Sequence, residues 1–183
     1  MTTPLLKLTH KQKGRNYVLG FEDGEHVMLG RRETNLPFSR ETSRYHATIF
    51  RQGDDFYLLD HSLNGTFADP AGRLDPEGLP TTRCETTLFH TVMNFEDNTP
   101  SVVQQVPPRK PIATGVHFDR STDSNYFLDV AVLKESLTDA KRRNDWIKDG
   151  KATKLTPGMV IAFGNRNDVY IVRALAEPQS GAV

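Results

Sequence analysis

The sequence predicts an all-β protein, an antiparallel β-sandwich with a strand and helix segment inserted late in the chain. Three observations predict it. Short apolar runs recur at close spacing through the first third and again near the end, turn-forming clusters separate them, and none is long enough for an ordinary helix.

The elements follow in order. Residues 5–8, 16–19 and 26–29 are apolar runs separated by Lys-Gln-Lys-Gly and Glu-Asp-Gly-Glu, which suit hairpin turns. Residues 45–51 and 56–60 form the next pair, joined by Gln52-Gly53-Asp54-Asp55. The pattern resumes at 159–163 and 169–172 across Gly164-Asn165-Arg166-Asn167-Asp168, with Met159, Ile161 and Phe163 on one face of a period-two strand.

The middle of the chain reads differently. Residues 69–82 are rich in Pro and Gly and cannot form a central strand. Residues 98–115 contain a Pro-Pro pair and favour extended, polyproline-like chain; the PxxP spacing of Pro108 and Pro111 reads as linker. A strand is expected over 126–133. A helix should follow, capped by Ser136 with Asp139 three residues on, its stripe formed by Leu133, Leu137, Ala140, Asn144 and Ile147. Trp146, the only tryptophan, reads as the anchor of that helix on the sandwich. The expected organisation is one domain over 1–183 with an insertion at 68–148.

Charge and motif content narrow the function. Lys+Arg and Asp+Glu are both 23, so no global excess draws the chain to nucleic acid or an anionic membrane, and any anion site must be local. The single cysteine, Cys84, excludes an internal disulfide and a multi-cysteine zinc site; it reads as a plain residue of the insertion and points to a reducing compartment. The N-terminal MTTPLLKLTHKQK has no signal-like apolar run, and no stretch approaches the roughly 18 apolar residues of a membrane span. The expected location is intracellular, cytoplasmic or nuclear. No phosphate loop, dinucleotide fingerprint, HExxH or Cys-x-x-Cys occurs, and the six histidines lack metal-ligand spacing, so neither cofactor nor metal is expected. Asp60-His61-Ser62 contains the residue types of a hydrolytic triad, but sequence neighbours on a strand end point in different directions. No catalysis is expected.

What the turns do contain suits a phosphate. A phosphorylated residue carries about −1.5 to −2 charge at neutral pH and three acceptor oxygens, which guanidinium, hydroxyl and backbone N–H groups satisfy. Leu29-Gly30-Arg31 ends one strand and Thr42-Ser43-Arg44 leads into the next, so arginines and a hydroxyl could converge there. Asn64-Gly65 makes a tight turn of the kind that leaves an asparagine amide free for a peptide backbone.

LGR, SRYHATI, YLLDHSLNGTF and LTPGMVIAFG followed by VYIV resemble, in order and spacing, the forkhead-associated (FHA) domain family; the resemblance covers 5–67 and 149–173. It implies a sandwich of about eleven strands whose loops at one end bind phosphothreonine peptides, a protein partner rather than nucleic acid or membrane. By that resemblance Arg31 and Ser43 bind the phosphate, Arg44 contacts phosphate or peptide main chain, and Asn64 holds the peptide backbone. His46 fixes the Ser43 and Asn64 loops to each other, Gly30 and Gly65 permit the turns, and Thr66 follows in the family pattern. The chain departs from the family at Leu63, where Ser or Thr is common before Asn-Gly; a backbone donor survives there and a hydroxyl does not, with Ser62 adjacent. The alternative is an FHA-like scaffold that binds partners independently of phosphate.

Overall fold

The computed structural model describes residues 5–21, 24–31, 36–43, 45–62, 64–85, 90–93, 100–103, 125–128 and 130–174. The strands of the first third are β1 (Leu5–His10), β2 (Asn16–Gly20), β3 (His26–Leu29), β4 (Ala47–Gln52), β5 (Asp55–Asp60) and β6 (Thr66–Ala68). Then come β7 (His90–Met93), β8 (Pro100–Val103), β9 (Asn125–Leu128), helices α1 (Val130–Leu137) and α2 (Ala140–Lys148), and β10 (Ala152–Lys154), β11 (Val160–Phe163) and β12 (Val169–Ala174). One sheet runs β2-β1-β12-β11-β6 and a second β10-β5-β4-β3; within both, neighbouring strands pair antiparallel, and the two sheets form the sandwich.

Residues 47–50 of β4 and 58–60 of β5 are buried without alternation because both faces of their sheet are covered there. Inward, Leu29, Ala47, Ile49, Phe56 and Leu58 meet Leu6, Leu8, Ile161, Phe163, Tyr170 and Val172 of the other sheet. Outward, the alternate residues Met28, Phe50 and Leu59 pack with Ala152 against Leu133, Leu137 and Trp146. Trp146 is thus the helix anchor, tilted against Phe50 at 6.5 Å. Arg143, buried beside it, donates from Nε to Gln52 Oε1 at 2.8 Å and from Nη1 to the Leu137 carbonyl at 2.6 Å, fastening α2 both to β4 and to the end of α1.

The insertion departs from its predicted elements. The strand is shorter, Asn125–Leu128, and the single helix is two. Asp139, not Ser136, is the cap: its backbone is extended at φ −92°, ψ 110°, and its carboxylate accepts from Lys141 N–H. That cap breaks the predicted stripe, so Ala140 and Asn144 are exposed while Arg143 and Trp146 turn inward. A third sheet, β8-β7-β9, was not anticipated, and β8 lies within the stretch read as polyproline-like, with Pro100 at the first position of an edge strand. Pro108 and Pro111 lie outside the described residues.

Residues 69–85 fold back on the sandwich. Ala68 N–H donates to the Thr82 carbonyl and Cys84 N–H to that of Thr66. Leu79 covers Phe67, Ala162 and Val169 on the outer face of the five-stranded sheet. Cys84 is not a bystander: it belongs to the main core, and burial pushes its thiol up to about 12.

Candidate functional site

Antiparallel pairing gathers four loops at one pole. Leu29 faces Ala47 and Ala47 faces Asp60; Phe163 faces Thr66, Ala162 faces Val169, and His10 faces Tyr170. The loops at 30–46, 61–65, 164–168 and 11–15 therefore leave the sandwich together.

Arg31 and Ser43 meet there through the backbone, Arg31 N–H donating to the Ser43 carbonyl at 3.2 Å. The Arg31 side chain is exposed and its guanidinium makes no ion pair among the described residues. Ser43 N–H donates to His46 Nδ1 at 3.1 Å, and its half-buried hydroxyl takes no hydrogen bond among the described residues. Gly30 is buried at the end of β3. Arg44 and Leu63 lie outside the described residues.

His46 is fully buried and bridges two loops. Because Nδ1 accepts from Ser43, the ring proton sits on Nε2 and donates to the Gly65 carbonyl at 2.9 Å. Burial holds its pKa below the usual 6.5, against the opposing pull of Asp60, the Gly65 bond and Asp168, with Arg83 adding to the lowering. The neutral ring is the form this geometry requires. Gly164, at φ +84°, lets the backbone pass the imidazole; a Cβ there would lie 2.9 Å from His46 Cε1.

The 60–66 turn is organised from beneath by Asp60, a residue the sequence reading treated only as part of a meaningless triad. Its Oδ1 accepts from Ser62 N–H at 3.1 Å, Ser62 Oγ at 2.6 Å and Thr66 Oγ1 at 2.7 Å. Ser62 Oγ in turn accepts from Gly65 N–H at 2.8 Å. Ser62, expected beside the phosphopeptide, has its buried hydroxyl engaged inside the turn. His61 faces Thr48 and the Tyr45 carbonyl instead of Ser62, so these three residues do not form a relay. Asn64 is not wholly free either. Its Nδ2 donates to the Glu41 carbonyl at 2.9 Å, while its Oδ1 is buried and accepts nothing among the described residues.

Two further residues escaped sequence reading. The buried Asp168 carboxylate accepts from Ser39 N–H at 2.9 Å, Ser39 Oγ at 2.6 Å and Asn165 Nδ2 at 2.7 Å, and lies 2.5 Å from Thr42 Oγ1. It ties the loop carrying Ser43 to the β11–β12 turn. Arg83 lies under Gly65, whose φ is +94° and where a Cβ would fall 2.8 Å from the guanidinium. The cation sits 6.0 Å over Phe67. Sequence offered no signal for Arg83 and only the Asx-turn pattern Asn165-Arg166-Asn167-Asp168 for the other.

Residues 17–78, roughly a third of the chain, match the FHA domain family. Over that segment the chain resembles an FHA domain. Its matched segment spans β2 to β6, including both loops bridged by His46. Similar solved structures are the FHA domain of the CT664 protein from Chlamydia trachomatis (12% identity, 96% of this chain and 100% of that one, TM-score 0.43) and the FHA domain of an Arabidopsis thaliana hypothetical protein (16%, 99% and 94%, 0.45). No curated protein matches the sequence. FHA domains are non-catalytic protein–protein interaction modules that in general bind phosphopeptides. Among the described residues, no cluster of His, Cys, Asp or Glu could hold a metal, and no helix is long and apolar enough to cross a membrane.

Proposed function

We propose that this FHA domain binds a phosphothreonine-containing segment of a partner protein and performs no chemistry on it. The observation that carries the reading is the backbone bond between Arg31 and Ser43, which brings together at one pole two residues whose guanidinium and hydroxyl have no ion pair and no hydrogen bond, respectively, among the described residues. In this reading Arg31 and Ser43 take the phosphate, Arg44 the phosphate or the peptide main chain, and Asn64 holds the peptide backbone around the threonine. Three or four charge-assisted hydrogen bonds at about 1.5–3 kcal/mol each give about 5–12 kcal/mol gross, and the ordering of the peptide reduces this to a reversible complex that a phosphatase can erase.

Calorimetry against one peptide in phosphothreonine and unphosphorylated forms tests this. Arg31→Ala should weaken phosphopeptide binding at least about tenfold, about 1.4 kcal/mol, without shifting the melting temperature. Unchanged affinity would refute the assigned role. Equal binding of the two peptide forms would favour the phosphate-independent scaffold, which Leu63 and the inward hydroxyl of Ser62 support by removing two potential phosphate donors.

The same proposal treats residues 1–183 as one domain with 68–148 inserted. The burial of Cys84, Leu133, Leu137 and Trp146 against the sheets supports it. Thermal unfolding should then follow one transition by near- and far-ultraviolet dichroism, whereas two resolved transitions would separate the insertion from the sandwich.

A further inference from the structure

The protein is neutral overall, yet its charges are not evenly used. Away from the candidate site, Arg51 pairs with Asp54 at 3.6 Å and Lys154 with Asp55 at 3.5 Å. At the site pole the carboxylates of Asp60 and Asp168 are buried under hydrogen bonds, while Lys11, Lys13, Arg15, Arg31, Arg40 and Arg166 are exposed. Lys11 is held by the Gly78 carbonyl at 2.7 Å and Arg166 by Glu77 at 3.3 Å, but Lys13, Arg15, Arg31 and Arg40 make no ion pair among the described residues.

The loops bearing Lys13 and Arg40 are tied to each other. Ser39, next to Arg40, donates to Asp168; Lys13 N–H donates to His10 Nδ1; the His10 ring meets Tyr170 edge-on at 4.9 Å, and Tyr170 donates its hydroxyl to the Pro37 carbonyl at 2.7 Å. The loop bearing Lys13 is thus linked through Tyr170 of β12 to the loop bearing Arg40, which Asp168 also holds and which carries Ser43 three residues on. Arg40 is three residues from Ser43, and an extended peptide rises about 3.3 Å per residue, so a few residues beside a phosphothreonine span that separation.

We infer that the pole selects phosphothreonine segments flanked by carboxylates, with Lys13 and Arg40 as specificity-determining residues outside the phosphate contacts. The inference rests on the phosphopeptide reading above. Unpaired cations on a rim act on a charged partner within the Debye length of about 8 Å and lose effect as salt rises.

The test uses the full chain and phosphothreonine peptides of equal length flanked by Glu, by Ser, by Lys, or by a second phosphoserine, at about 0.05 and 0.3 M salt. The Glu-flanked peptide should bind about five- to tenfold more tightly than the Ser-flanked one at low salt, the Lys-flanked one more weakly, and the spread should shrink at high salt. Lys13→Gln with Arg40→Gln should abolish the spread and leave the Ser-flanked affinity within about twofold. The phosphoserine arm shows whether the rim takes carboxylates or a second phosphate; a gain confined to that arm overturns carboxylate selection. If the Ser-flanked phosphopeptide binds and its flanks make no difference, this inference alone fails. If no phosphopeptide binds better than its unphosphorylated twin, the underlying reading fails first. A single-stranded oligonucleotide binding more tightly than the Glu-flanked peptide would also overturn it.

Discussion

Replacing Asp168 with alanine should lower stability by about 3 kcal/mol, a fall in melting temperature of about 6–12 °C for a chain of this size. The carboxylate receives bonds from Ser39 N–H, Ser39 Oγ and Asn165 Nδ2. Some donors can turn elsewhere: Thr42 Oγ1 already lies 2.5 Å from the Phe163 carbonyl, and Asn165 Nδ2 lies 2.9 Å from Ser39 Oγ. Ser39 N–H cannot, because it is fixed to the backbone. Amide exchange at Ser39 should therefore accelerate more than that of β5 amides, which report global opening. Asp168→Asn should fall between, keeping one acceptor while turning an NH₂ group toward other donors. A melting temperature within a degree or so of wild type would show that the network does not support the loop.

Why Asp168 went unread in the sequence is a matter of distance along the chain. It lies 129 residues from Ser39 and 126 from Thr42, and no local period connects an Asx-turn to a hydroxyl-rich loop that far away. The sandwich strands were legible because their signals are local: residues 26–29 coincide with β3, and alternation along 159–163 survives in β11, with Ile161 and Phe163 in the main core. The insertion was less so. An apolar stripe from Leu133 to Ile147 suggests one helix, and only the tertiary demand that Arg143 reach Gln52 and Trp146 reach Phe50 makes the break at Asp139 useful. The site divides the same way. Arg31, Ser43, Asn64 and Gly65 announce themselves as turn residues at strand ends, whereas the inward aim of Ser62 depends on Asp60, two residues back, being buried under the turn. Arg83 was invisible because its partner surface, the Gly65 backbone, has no side chain to suggest a contact.

His46→Ala should cost about 2–4 kcal/mol and weaken phosphopeptide binding together. The ring packs against Phe163 at 6.0 Å, so its loss opens a cavity, and it leaves both the Ser43 N–H and the Gly65 carbonyl without their present partner. His46→Asn separates the two contributions. Its carbonyl can stand near the position of Nδ1 and accept from Ser43, but the side chain is too short to reach Gly65 as well, so stability should be partly restored. The sign of the pH dependence follows from the same contacts. With its folded-state pKa held below 6.5, His46 binds fewer protons in the native chain than in the unfolded one, so its contribution is complete above pH 6.5 and declines as pH falls from there toward the lowered value. Protonation at Nδ1 would also replace the acceptor of the Ser43 N–H with a second donor. The alanine variant lacks this group, so the difference in stability between wild type and His46→Ala should narrow as pH drops below 6.5. A difference that stays constant between neutral and acidic pH would mean that the imidazole is not held neutral, and the brace between the two loops would have to be assigned to other bonds.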